Sequence, residues 1–291
     1  MKLLEIHQSL PTSRPSYIYV IAEVGINHNG DLEIAKKLIK MAKDAGCDAV
    51  KFQKRDLEIV YGSAILEQPR ESPWGNTQRA QKEALEFGAA EYKILRDYCR
   101  DLEIDFSASA WDSNSLEFLD DFELSFQKVA SALATKVDFL EEVAKRKLIT
   151  LLSLGMCSLE QADTALEIFK KHGCPVIPMH CVSTYPTPEA DLNLSQIEML
   201  RNRYNLNVGY SGHEASVSPS LVAASLGAAV IERHITIDRS MYGSDQAASL
   251  EKEGIDNLVS VIRKIPEYFG TSEKVPSEDE LAVAKKLRYW E

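Results

Sequence analysis

Short apolar runs recur along the chain, and each gives way to polar residues at the same end. Residues 17–24 (YIYVIAEV) are almost unbroken in apolarity and of strand length, which predicts a strand buried on both faces. Further strands are predicted at 49–53, 105–109, 126–130, 148–152, 176–182, 208–213 and 228–234. Between them lie segments with the 3.6-residue apolar period of helices. Asp31 caps a helix to about residue 45, with Leu32, Ala35, Leu38, Ile39 and Ala42 on one face and Gly46 ending it. Other helices are expected at 89–102, from 113, and at 137–146, 158–172, 195–204, 219–227 and 254–269. Ser158 and Gln161 have the spacing of a capping box.

Eight strand–helix units in 291 residues predict a closed (β/α)8 barrel, an α/β TIM-barrel fold. A doubly wound open sheet is the alternative, but no GxGxxG fingerprint follows the first strand. One domain is expected over 1–291, with an N-terminal extension at 1–16 and a C-terminal tail at 270–291. The least regular stretch, 56–86, reads as a long active-site loop, since such loops in compact domains are often functional.

In a barrel the chemistry sits at the C-terminal strand ends. By strand these carry Glu23; Lys51 and Gln53; Ser109; Lys128 and Ser131; Ser153; Ser183 and Tyr185; Ser211 and His213; Glu232 and His234. Lys51 alternates with apolar neighbours, so it either points inward to meet an anion or stands in water on an edge strand. Two inward lysines and a ring of hydroxyls suit a compact, multiply charged anion. His213 and His234 end consecutive strands and can share a divalent metal with positions left open.

Composition narrows the partners. A net charge of −11 argues against nucleic acid, and no apolar run reaches membrane-spanning length. Five cysteines without CxxC spacing, and no signal-peptide pattern, fit a cytoplasmic protein.

The segments Ile21-Ala-Glu-Val-Gly-Ile-Asn-His-Asn-Gly30, Asp48-Ala-Val-Lys-Phe-Gln53, Tyr185-Pro-Thr-Pro188, Gly209-Tyr-Ser-Gly-His213 and Ile231-Glu-Arg-His234 resemble the sialic acid (N-acetylneuraminate) synthase family, as does the run from Asp238 to Ser249. The resemblance covers nearly the whole chain. It implies a transferase that condenses phosphoenolpyruvate with the open-chain aldehyde of an N-acylated amino sugar, giving a 2-keto-3-deoxy sugar acid and phosphate. It further implies that His213 and His234 hold a divalent ion, manganese or magnesium. Lys51, Lys128, Ser131, Ser153, Ser183, Tyr185 and Ser211 would surround phosphoenolpyruvate, with Ser109 near the reacting centre. Glu23, Gln53 and Asp245 would face the aldose acceptor, and Glu23 and Lys51 would take part in catalysis with the histidines.

Three departures stand out. Ala132-Leu133 occupies the place of a family Gly-Glu or Gly-Asp, and Ser183 that of an asparagine. The sequence also stops at Leu287-Arg-Tyr-Trp-Glu291, where a small antifreeze-like domain follows in typical members. The expectation is therefore the barrel part alone, as a truncation or a barrel-only variant, with a homodimer still possible. A shorter or phosphorylated aldose, a metal-dependent barrel aldolase or hydrolase, and a non-catalytic sugar-phosphate binding protein are the competing expectations.

Overall fold

The structure, a computed structural model, describes residues 2–290. Its strands are β1 (Tyr19–Gly25), β2 (Ala49–Lys54), β3 (Pro69–Ser72), β4 (Gly75–Thr77), β5 (Asp105–Ala110), β6 (Gln127–Val129), β7 (Thr150–Ser153), β8 (Val176–Cys181), β9 (Val208–Gly212) and β10 (Ala228–His234). Among the described residues, β1, β2 and β5 to β10 pair side by side, all parallel, and β10 returns to β1 to close the barrel. The strands are buried along both faces because helices cover the outside and side chains fill the inside.

The period of two sorts residues between two cores. Val20, Ala22, Val24, Val50, Phe106, Leu152 and Ile231 face outward and join the packing faces of the helices. Tyr19, Ile21, Phe126, Leu151, Ile177, Met179 and Val230 face inward and form a separate apolar cluster in the barrel interior. Above this cluster, at the C-terminal strand ends, the inward positions turn polar. The barrel is thus dry at its floor and charged at its mouth.

The expected N-terminal extension holds a helix, Lys2–Gln8, whose Leu3 and Ile6 join the interior apolar cluster. Asn207 fixes its end, donating from Nδ2 to Ile6 O at 2.7 Å and Ser9 O at 3.2 Å. His7 Nδ1 lies 3.1 Å from Val176 O. This helix closes the barrel floor.

The expected helices are present with ends shifted by a residue or two. Asp31 Oδ1 accepts from Glu33 N and Ile34 N, and Gly46 ends that helix at φ 84°. Ser158 and Gln161 form the expected capping box. The last barrel helix is two pieces, Lys252–Ile262 and Ile265–Phe269, because Pro266 lacks the N–H to continue the first. The tail carries a further helix, Glu278–Leu287, with no buried residue.

Residues 56–86 depart from the irregular loop expected of them. They contain helical turns Leu57–Val60 and Ser63–Leu66, the β3–β4 hairpin and a helix Gln78–Leu85 capped by Thr77. Pro69 opens β3 and Pro73 lies in the hairpin turn, positions that need no ladder N–H.

In the segment after β1, Asn27 locks the first and last units together and His28 packs under the segment after β2. Asn27 Nδ2 donates to Ile235 O at 2.9 Å and Ser249 Oγ at 2.8 Å. His28 is buried, stacked on Phe87 with ring centroids 4.2 Å apart, and its Nδ1 accepts from Gly30 N at 3.0 Å. Burial lowers its pKa from 6.5 to about 3. A depressed histidine contributes stability that is complete above about pH 6.5, its unfolded value, and is lost as pH falls towards its folded value. Below pH 6 the expected slope is roughly 1.4 kcal/mol per pH unit for one such proton. Urea unfolding between pH 7 and 4.5 checks this: His28→Asn, which keeps an acceptor but does not titrate, should show a shallower acid limb than the parent. Parallel limbs would refute it.

Candidate functional site

Parallel register brings the polar strand ends into one layer. Glu23 is level with Lys51 on one side and His234 on the other. Gln53 is level with Ser109, Ser109 with Lys128, and Glu232 with Ser211. These residues, with Ser131, Ser153, Ser183, Tyr185 and His213, line a cavity of about 170 Å³ at the barrel mouth. Every sequence-predicted site residue except Asp245 is therefore on its wall.

Lys51 points inward and is buried, which excludes the edge-strand alternative. Its Nζ lies 2.6 Å from Glu23 Oε2 and 3.8 Å from Glu232 Oε1, and donates to Ser109 Oγ at 3.0 Å. Lys128 Nζ is 3.2 Å from Glu232 Oε1, which also accepts from Ser211 Oγ at 3.0 Å. Gln53 Nε2 donates to Glu23 Oε1 at 2.7 Å. The two lysines thus share the layer with two carboxylates, and the four charges nearly cancel. Burial pushes the pKa of Glu23 up despite Lys51 beside it. For Glu232 burial also acts upward, but Lys128 and Lys51 outweigh it and hold the carboxyl at about 2.

The two imidazoles stand together at the rim, ring centroids 5.5 Å apart, with the Tyr185 ring 4.0 Å from that of His213. His213 Nδ1 donates to Val182 O at 2.8 Å, so its Nε2 is where a proton or a cation would sit. Burial, followed by His213 and Lys51, lowers His234 to about 3 against the opposing pull of Asp245, which keeps its ring neutral. Asp245 Oδ2 lies 3.8 Å from His234 Nδ1, a buried atom without a hydrogen-bond partner. Asp245 is therefore the carboxylate nearest this nitrogen, close enough to act on its charge but too far for a hydrogen bond. Among the described residues no group of three or more His, Cys, Asp or Glu side chains is arranged around one point. The donor set fits an ion with two protein ligands and open positions.

Beside the imidazoles, on the neighbouring strand ends, is a hydroxyl-rich wall. Ser131 Oγ accepts from Gly155 N at 3.1 Å. A Cβ at Gly155 would stand 2.5 Å from Ser183 Oγ and 2.7 Å from Ser131 Oγ, so only glycine lets the two serines close on this backbone. Ser153 Oγ is buried with no partner, a donor left for a ligand.

Comparison with known proteins agrees with this geometry. The NeuB family profile matches residues 38–274. The chain belongs to the NeuB family. It is 41% identical over 249 residues to N-acetylneuraminate-9-phosphate synthase of Drosophila melanogaster, covering 84% of this chain and 67% of that protein. It is 34% identical to N,N'-diacetyllegionaminic acid synthase of Legionella pneumophila, covering 93% and 78%. The solved N-acetylneuraminic acid synthetase of Leptospira borgpetersenii, in complex with citrate, superposes with a TM-score of 0.81 at 33% identity, covering 94% of this chain and 93% of that one. A truncated 3-deoxy-D-arabino-heptulosonate 7-phosphate synthase from Thermotoga maritima shares the fold at 15% identity, with a TM-score of 0.69 over 88% of this chain and 89% of that one. This NeuB chain is accordingly an enzyme, a sugar-acid synthase of the transferase class. No helix among its described residues is long and apolar enough to cross a membrane.

Some members of this NeuB site escaped sequence reasoning. Glu232 was visible as a strand-end carboxylate, but not as the partner of both lysines. Cys181, Trp111 and Met156 also line the cavity. Trp111 follows β5 and stacks under Arg55, 4.3 Å from Cζ to ring centroid. The one available signal was position: Cys181 ends β8 on the face that carries Met179 inward.

Proposed function

We propose that this chain condenses phosphoenolpyruvate with the open-chain aldehyde of an N-acylated amino sugar, giving a 2-keto-3-deoxy sugar acid and phosphate. One observation carries the reading: two buried lysines and a partnerless serine hydroxyl line one small cavity together with two adjacent imidazoles. The synthases among the relatives support it.

Lys51 and Lys128 would grip the carboxylate end of phosphoenolpyruvate as fixed point charges, and Ser131, Ser153, Ser183 and Gly155 would receive its phosphate oxygens. Because Glu23 and Glu232 already balance the lysines, a highly anionic substrate needs further positive charge. His213 and His234 would hold a divalent ion, manganese or magnesium, which supplies that charge and Lewis-acid polarisation of the acceptor's aldehyde oxygen. The C2–C3 π electrons of phosphoenolpyruvate form the new bond from C3 to the aldehyde carbon. Water adds at the electron-poor C2; one of its protons goes to the former aldehyde oxygen, now a hydroxyl, and the other leaves with the phosphate. The tetrahedral carbon then expels phosphate by C–O cleavage, leaving the 2-keto group. Glu23, with its raised pKa, is placed to hold and move a proton beside Lys51. Gln53, bonded to Glu23, would orient the acceptor's hydroxyls. Charges fixed in a water-poor pocket supply most of the stabilisation.

A panel of aldoses tests this, with released phosphate as the readout. Phosphate is expected only when phosphoenolpyruvate, a divalent metal and an amino-sugar aldose are all present. Turnover of a sugar or sugar acid without phosphoenolpyruvate would instead make the protein an aldolase or hydrolase.

A further inference from the structure

The strand ladder stops just short of the two imidazoles. Between β9 and β10 the last level pair is Gly212 with Arg233. His213 and His234 each follow one residue later, so the pairing of these two strands does not set their separation. Their own side-chain bonds do not set it either. Val182 O fixes the ring of His213, but among the described residues Nδ1 of His234 has no hydrogen-bond partner. Two ligands serve one ion only when both are held to within about 0.5 Å of the right place. Contacts beyond the ladder must therefore hold the two segments together.

Two guanidinium groups do so. Arg233, between the cavity-lining Glu232 and His234, points to the other face of β10 and is wholly buried. Its Nη1 donates to Ser216 O at 2.8 Å and Ser220 Oγ at 2.9 Å, and its Nη2 to Glu214 O. Nη1 also lies 2.9 Å from Glu214 Oε1. The Glu214 carboxylate further accepts from Tyr210 OH at 2.7 Å and Ser220 Oγ at 2.9 Å. It lies so close over β9 that a Cβ at Gly212 would stand 2.6 Å from its Oε2. Exposed Arg239, on the segment after β10, donates from Nη2 to Ala215 O at 2.9 Å and Ala247 O at 3.1 Å. The three carbonyls of Glu214, Ala215 and Ser216, directly after His213, thus each accept from a guanidinium on the His234 side.

We infer that Arg233 and Arg239 are positioning residues: they set the spacing of His213 and His234, and through it the affinity of the site for its divalent ion. This rests on the metal reading above. Neither guanidinium lines the cavity, so both act through the histidines. A buried pair such as Arg233 with Glu214 seldom stabilises a fold more than apolar residues of the same size would, because desolvation offsets the attraction. What it adds here is direction. A guanidinium presents five N–H groups in one rigid plane and so fixes several carbonyls at once. Groups that orient metal-binding side chains commonly change metal affinity by about 10- to 100-fold.

Manganese titration of the metal-free protein without substrates, read by electron paramagnetic resonance, tests the assignment. Arg239→Met removes an exposed side chain and should leave the fold intact. Arg233→Lys keeps the buried charge but not the fork. Each should raise the Kd for manganese about 10-fold. Arg203→Met, which breaks an exposed pair with Asp163 away from the histidines, should leave the Kd unchanged. A purely structural role would lower the melting temperature of the metal-free variants and spare their Kd, and that result would overturn the assignment. Equal weakening by Arg203→Met would make the effect a general one and overturn it too. Should Arg233→Lys not fold, the Arg239→Met titration decides alone. A parent that binds no manganese would remove the metal reading itself, and the positioning role with it.

Discussion

Replacing His234 with glutamine is expected to lower kcat/KM by about a thousandfold or more, with little change in stability. A divalent ion with two protein ligands loses half of that set, and the polarisation it supplies to a carbonyl is worth several kcal/mol. The fold should tolerate the change, because His234 makes no hydrogen bond that glutamine would leave unmade. His213→Gln should lose activity similarly. It should also lose some stability, since the Nδ1 bond to Val182 O goes with it. Three measurements bear on this: phosphate release, thermal melting and manganese binding by electron paramagnetic resonance. The parent enzyme treated with a chelator should fall to the level of His234→Gln and recover on adding manganese, whereas the variant should not. Parent activity that survives the chelator would defeat the metal assignment, and a variant above a tenth of parent activity would defeat the role of His234.

Lys51→Met should be the most damaging single change to the layer, because it acts on folding and on chemistry. Its Nζ meets Glu23, Glu232 and Ser109 together, and all four side chains are buried. Removing one partner of a buried ion pair typically costs about 3–5 kcal/mol, since the remaining charge has no water to turn to. The loss in kcat/KM should again reach about a thousandfold, the scale on which single electrostatic groups act in such sites. The double variant Lys51→Met/Glu23→Gln separates the effects. With the orphaned carboxylate neutralised, denaturant stability should largely return, while activity should not. If activity returned with stability, Lys51 would be a structural residue. If the double variant were as unstable as the single one, the account of the network would be wrong.

Much of this was legible before any coordinates, for a reason that lies in the barrel itself. A strand running through a closed cylinder is apolar until it reaches the mouth, so the point where polarity begins marks the site. That rule picks out Glu23, Lys51, Ser153, Ser211 and His234 one strand at a time. It says nothing about which charge answers which across the interior. Glu232 and Lys128 are 104 positions apart, and only closure brings them to 3.2 Å. Asp245, expected to face the acceptor, is not on the cavity wall and lies 3.8 Å from His234, where the segment after β10 folds back through Ser249 and Asn27. The 56–86 segment was opaque for a different reason. Its prolines read as breaks, yet they occupy the first residue of a strand and a turn. Its helix begins at Thr77, whose hydroxyl accepts from Ala80 N in a sequence without a long apolar period.

The helix at the barrel floor has a consequence for how the chain is made. Lys2–Gln8 is made before every strand of the barrel, yet its seat includes Ile149, Ile177 and Ala229, and Asn207 holds its end. It must therefore wait outside while more than two hundred residues are synthesised, and dock only when β10 has joined β1. A segment made ahead of the whole barrel is in this respect among the last to find its place.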